Sequence, residues 1–175
     1  RMGEDPDTVH CTGCPAIDAI DNIDLDLPAD LFEEYGGVGA EIDPSKSYVV
    51  VVQHPVTTEY NQGLAQIQET LDAVTNIDIQ AVWLWPNVDA GTDDISKGLR
   101  LYRERNENHQ IRFYKNFSVE DYGRLINNAE CIIGNSSSAI REGSYLGLPA
   151  VNIGTRQQGR EKEENIMDVG YDSAE

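Results

Sequence analysis

Short apolar runs alternate with amphipathic stretches along most of this chain. Tyr48–Val52 is a continuous apolar, β-branched run, the pattern of a central parallel strand buried on both faces. After it, Leu64, Ile67, Leu71 and Val74 fall on one helical stripe. Ile79–Trp85 reads as the next strand, stopped by Pro86, and a helix follows from about Thr92 to Arg105. Ile111–Tyr114 is a third strand. Ser118 then N-caps a helix whose Val119, Tyr122, Leu125, Ile126 and Ala129 face inward, with Asp121 as the acid at its third position. A fourth strand around Cys131, a helix through Tyr145 and a fifth strand at Ala150–Ile153 complete the alternation.

Repeated βα units predict an α/β fold: five parallel strands, right-handed crossovers and helices on both faces. At 175 residues the chain is one domain of ordinary size. No internal repeat or low-complexity tract is visible. The acid-rich stretch Asp18 to Asp30 reads as solvated surface. Gly36-Gly37-Val38-Gly39 precedes no clear helix, so it reads as a flexible turn rather than a phosphate loop.

Charge narrows the partners. Thirteen Lys and Arg against 31 Asp and Glu give a net charge of −18, so the surface potential is negative overall. Nucleic acid and anionic membrane are excluded as main partners, because phosphate binding needs clustered cations. An anionic small ligand remains compatible where a few arginines or backbone N–H groups converge. No apolar stretch approaches the ~18 residues of a membrane span, and no N-terminal signal pattern is present. The chain therefore reads as cytoplasmic, which makes the sequons Asn116-Phe117-Ser118 and Asn135-Ser136-Ser137 irrelevant. Its opening, Arg1-Met2-Gly3-Glu4, reads as the interior of a longer protein. Cys11-Thr12-Gly13-Cys14 has redox spacing but no thioredoxin-like context, and no second Cys or Cys/His pair completes a zinc site, so no metal is expected. No dinucleotide fingerprint is present, and no cofactor is expected.

The densest chemistry lies in Cys131-Ile132-Ile133-Gly134-Asn135-Ser136-Ser137-Ser138-Ala139-Ile140-Arg141-Glu142. A buried strand runs into a small-residue turn that opens a helix, whose free N–H groups and dipole favour an anion. Serine hydroxyls add donors, and Glu142 can accept from neutral hydroxyls such as those of a ribose. Anion plus sugar diol points to a nucleotide; the alternative is that the serines only cap the helix. Ligands of open α/β sheets sit beyond the carboxyl ends of the strands. Those ends carry Gln53-His54-Pro55, Pro86-Asn87-Val88-Asp89, Lys115-Asn116-Phe117, the serine turn and Gly154-Thr155-Arg156-Gln157. His54, Asn87, Ser136, Ser137, Glu142 and Arg156 would thus line one rim. Each also has a plainer role: His54 and Asn87 as turn residues, Arg156 as a surface partner of Glu161, Glu163 or Glu164.

His54-Pro55-Val56-Thr57-Thr58, Pro86-Asn87-Val88-Asp89-Ala90-Gly91, Gly134-Asn135-Ser136-Ser137 and Arg141-Glu142 occur in order, followed by Pro149-Ala150-Val151-Asn152-Ile153-Gly154-Thr155-Arg156-Gln157-Gln158-Gly159-Arg160. Together with the opening and Gly13-Cys14-Pro15-Ala16-Ile17-Asp18, they closely resemble the hydrolysing UDP-N-acetylglucosamine 2-epimerases of sialic and legionaminic acid pathways. The resemblance spans essentially the whole chain. It implies the second, C-terminal lobe (residues 1–175) of a GT-B-type enzyme with two Rossmann-like lobes, the first lobe absent, and a homo-oligomeric parent protein. It also implies that Ser136, Ser137 and Arg156 contact UDP, that Glu142 holds the ribose, that Asn87 borders the uracil and that catalytic His54 lies by the diphosphate and reacting sugar. Where the family can show a basic residue after the Pro-Asn-x-Asp-x-Gly turn, this chain has Asp93 and Asp94, so a charge contact from there is not expected.

The reaction so implied inverts C2 of a UDP-amino sugar and releases UDP. Taking a proton from C2 and expelling diphosphate from C1 needs carboxylates as acid and base, plus donors where leaving-group charge develops. The rim read here offers the donors; the resemblance places the main carboxylates on the other lobe. Rival readings are a non-hydrolysing epimerase, a GT-B glycosyltransferase and a non-catalytic nucleotide-binding module.

Overall fold

The structure, a computed structural model, describes residues 3–105 and 110–174. Its elements in chain order are α1 (Pro15–Asp21), α2 (Leu31–Glu34), β1 (Val38–Gly39), β2 (Tyr48–Val52), α3 (Gly63–Asn76), β3 (Gln80–Leu84), α4 (Thr92–Arg105) and β4 (Ile111–Tyr114). Then come α5 (Val119–Asn127), β5 (Cys131–Gly134), α6 (Ser137–Ile140), α7 (Glu142–Leu146), β6 (Ala150–Ile153) and β7 (Ile166–Val169). The strands form one sheet in the order β1-β4-β3-β2-β5-β6-β7. All pairings are parallel except β1 with β4. From β2 onward the chain first adds strands toward one edge, then returns to the middle and adds toward the other. That is the doubly wound, Rossmann-type order, with its reversal between β2 and β5.

The apolar runs form the centre because they are buried on both faces. Every residue of β2 and of β3 is buried. Alternate side chains divide between two cores. Val49, Val51, Ala81, Trp83 and Phe113 meet Ile67 and Leu71 of α3 and Ile95 and Leu99 of α4. Tyr48, Val50, Val82, Tyr114 and Ile132 meet Leu31 and Phe32 of α2 and Leu125 and Ile126 of α5. Helices α3 and α4 lie so close that a Cβ on Gly98 would stand 2.4 Å from Cγ2 of Ile67.

Five expectations change. The sheet has seven strands rather than five: β7 is half-exposed and β1 is only two residues long, so neither carries a strong apolar run. The Gly36–Gly39 segment is not a loose turn, since Val38 and Gly39 pair with Phe113 and Arg112. Arg112 also donates to the Gly36 and Ala40 carbonyls. Val119 is 54% exposed, because the first residue of α5 precedes its buried stripe. The stretch Asp18 to Asp30 is not all solvated: Ile20 of α1 is buried, packed near Gly123 of α5. The helix through Tyr145 is broken at Arg141, whose ψ of −77° separates α6 from α7. Ser118 does cap α5 through Asp121 N–H. Among the described residues no helix is long and apolar enough to cross a membrane.

Candidate functional site

At the reversal point β2 and β5 diverge, and the last pairing of the two strands sets Val52 beside Gly134. Gly134 has φ +132°, and a Cβ there would lie 2.1 Å from the Val52 carbonyl oxygen, so only glycine fits. The next residue continues the ladder with its side chain. Asn135 is fully buried; its Oδ1 accepts from the His54 N–H at 2.7 Å and its Nδ2 donates to the His54 carbonyl at 2.8 Å. This two-bond clamp fixes the backbone of His54 where the sheet can no longer do so.

His54 is 5% exposed. Its Nδ1 accepts from the Asn87 N–H at 3.2 Å, and Thr92 Oγ1 holds the Asn87 carbonyl in turn. Burial, and next the Arg156 guanidinium, push the imidazole down to about 4, against a smaller opposing effect of Asp89. The ring is therefore neutral near pH 7. Because Nδ1 is occupied as an acceptor, the ring proton sits on Nε2. His54 presents an N–H donor rather than a base.

Arg156 and Gln157 close the other side. Arg156 Nη1 and Gln157 Nε2 donate to the Asn135 carbonyl at 3.2 and 2.7 Å. Arg156 also stands 3.7 Å from Asp89 across the rim. In the serine turn, Ser136 Oγ accepts from the Ser138 N–H and hydroxyl, and the Ser138 hydroxyl lies 2.7 Å from that of Tyr122. Ser136 thus caps, while the Ser137 hydroxyl bonds to none of the described groups. The helix it opens is a single four-residue turn. Little macrodipole can develop in it, so the anion affinity expected from a helix end reduces to local N–H and hydroxyl donors.

Glu142 is 6% exposed, with Oε1 held by Arg141 at 3.1 Å. Its Oε2 is buried without a partner. A lone carboxylate oxygen in that condition costs about 1–3 kcal/mol or more unless something donates to it. Asp93 and Asp94 begin α4, where acids suit a helix N-terminus.

His54, the Asn87 backbone, Arg156 and the serine turn therefore meet around one residue, Asn135, and Glu142 stands behind the turn. The Asn87 side chain is exposed and contributes through its backbone. Asn135, Gln157, Asp89 and Tyr122 also belong to this rim, although in the sequence Asp89 reads as a turn residue and Tyr122 as part of a helix stripe. Asn135 and Gln157 lie inside the sequence motifs, and the signal that marks Asn135 is an uncharged amide directly beyond the strand β5. Tyr122 fits a helix stripe and gives no such sign.

A structure of S. aureus MnaA with UDP matches 98% of this chain and 43% of its own, with a TM-score of 0.65 at 14% identity. The molecule is thus a Rossmann-like lobe of the GT-B type, with its polar rim at the switch point. The sequence pattern of the family described as UDP-N-acetylglucosamine 2-epimerase matches residues 1–175, and the chain belongs to that family. The UDP-N,N'-diacetylbacillosamine 2-epimerase (hydrolyzing) of Legionella pneumophila is 30% identical over 169 residues, 97% of this chain. The UDP-N-acetylglucosamine 2-epimerase of Neisseria meningitidis is 27% identical over 173 residues, 99% of this chain. The chain spans 43% of the length of each.

Proposed function

We propose that this chain is the C-terminal, UDP-binding lobe of a hydrolysing UDP-amino-sugar 2-epimerase, which converts UDP-N-acetylglucosamine or a related sugar nucleotide to the free 2-epimer and UDP. The observation that carries the reading is the buried, unpartnered Oε2 of Glu142 beside the serine turn. A ribose hydroxyl donating to it would relieve that cost, and the unengaged Ser137 hydroxyl and Arg156 would take the diphosphate. Nε2–H of His54 would then donate to a leaving phosphate oxygen as charge develops there, without itself gaining or losing a proton. Acid and base carboxylates come from the first lobe. The hydrolysing type, and N,N'-diacetylbacillosamine as an alternative sugar, rest on the names of the relatives.

Calorimetry on the two-lobe protein tests the nucleotide site. UDP should bind better than ADP or GDP, and Ser137→Ala and Glu142→Ala should each weaken it by roughly 1–3 kcal/mol. Unchanged affinity in both would return the turn to helix capping. Product analysis decides the reaction type: free 2-epimer with UDP for hydrolysis, an intact epimerised UDP-sugar without free UDP otherwise.

A further inference from the structure

A cavity of about 680 Å³ opens at the β1–β4 edge of the sheet beside the carboxyl ends of β3 and β4. That volume lies within the range of small-molecule sites. None of its eleven lining residues is His54, Asn87, Ser136, Ser137, Glu142 or Arg156. Its walls are aromatic, from Tyr35, Trp85 and Phe113, and its cations are Arg100, Arg103 and Lys115.

The charge is the informative part. Acids make up 31 of the chain's 175 residues, so about two would be found among eleven residues taken at random. Among the described residues none of these acids lines the cavity, while three of the chain's 13 Lys and Arg do. The cations also keep most of their charge unneutralised. Arg100 uses only its Nε, on the Ser96 carbonyl. The Arg103 guanidinium lies over the Phe113 ring at 6.0 Å. Neither arginine nor Lys115 pairs with a carboxylate among the described residues. Aromatic walls beside cations that no described carboxylate neutralises suit a ring that carries an anion, since an aromatic face such as that of Trp85 accepts the ring and the cations take the charge.

We propose that this cavity binds a small ligand in which a flat ring carries a phosphate or carboxylate group. The proposal stands apart from the reading of the serine-turn site.

Tryptophan fluorescence reports on it directly. The chain has two tryptophans, of which Trp83 is fully buried and Trp85 lines the cavity. Adenosine monophosphate and nicotinate, titrated separately into the 175-residue chain, distinguish phosphate from carboxylate; adenosine is the uncharged control. At least one of the two anions should quench saturably, and adenosine should bind at least tenfold more weakly than its monophosphate if phosphate is the preferred group. Arg100→Gln combined with Arg103→Gln should weaken the anion at least tenfold, with circular dichroism confirming an intact fold, while Glu142→Ala should leave binding unchanged. Absence of quenching by both anions would overturn the proposal, as would equal binding by the double arginine variant. Loss of quenching in Glu142→Ala would overturn it by moving the ligand to the serine turn. Arginine-dependent self-association in sedimentation, with no small-ligand binding, would assign the cavity to the acidic surface of another copy and overturn it too.

Discussion

His54 is held where a proton is costly, and this sets both its chemistry and its effect on stability. Its native ionisation lies at about 4, below the ordinary 6.5 of an exposed histidine. Between those values the unfolded chain takes up a proton that the native state refuses, so stability is lost as the pH falls. From pH 7 to pH 5 the loss from this group is about 2 kcal/mol. In urea unfolding, His54→Gln should show a flatter pH dependence across that window than the parent; parallel slopes would mean that the imidazole is not buried in its neutral form. On the proposed function, removing the Nε2–H donor with His54→Ala should lower kcat of the two-lobe protein about 10²-fold, read as UDP release. A histidine directly beyond a buried strand was visible in the sequence. Its tautomer was not, because that depends on an N–H from Asn87 and a guanidinium from Arg156, which only the fold brings near. The role of Asn135 is hidden in the sequence for a related reason: between glycine and serine an asparagine looks like a turn residue, and its two bonds to His54 are non-local.

At the level of elements, what could be read followed burial. The runs at Tyr48–Val52 and Ile111–Tyr114 and the cap at Ser118 carried enough local signal to place them to the residue. β1 and β7 did not, since an edge strand is defined by its neighbour's free N–H and C=O groups rather than by its own side chains. The break at Arg141 is likewise invisible in a sequence whose residues there all permit helix. Gly98 gives a test of packing against propensity. Alanine is the better helix former by about 1 kcal/mol. Its Cβ would nevertheless meet Ile67 at 2.4 Å, and a β-branched neighbour has little room to turn away. Gly98→Ala should therefore destabilise by about 1–3 kcal/mol in chemical denaturation. A stabilised variant would show that α3 and α4 can separate freely.

For the whole molecule the excess of acid dominates. With a net charge of −18, the folded state packs like charges closer than the unfolded chain does, and salt should relieve this. The ion pairs that salt would weaken are few among the described residues, and one of them, Lys46–Asp43 at 3.5 Å, is exposed on both sides. Raising NaCl from about 0.01 M to about 0.5 M should therefore raise the melting temperature. A falling one would mean that the ion pairs outweigh the repulsion. Sign and magnitude of the charge were plain from composition. That cations nevertheless gather at one edge was not, because Arg100 and Arg103 of α4 are joined there by Lys115 beyond the end of β4, and only the fold brings those two elements together.

The clamp made by Asn135 also restricts where this protein can be produced. Asn135-Ser136-Ser137 is an acceptor sequence for oligosaccharide transferases, which act on chains that have not yet folded. A sugar placed on Nδ2 would sit on the atom that donates to the His54 carbonyl, inside a side chain with no exposed surface. A chain so modified could not close the junction of β2 and β5 and would be retained as misfolded. Asn116, which is exposed, should accept the same modification without harm. Secretory expression in a eukaryotic host should therefore yield little folded protein, and a cytosolic host should yield it freely.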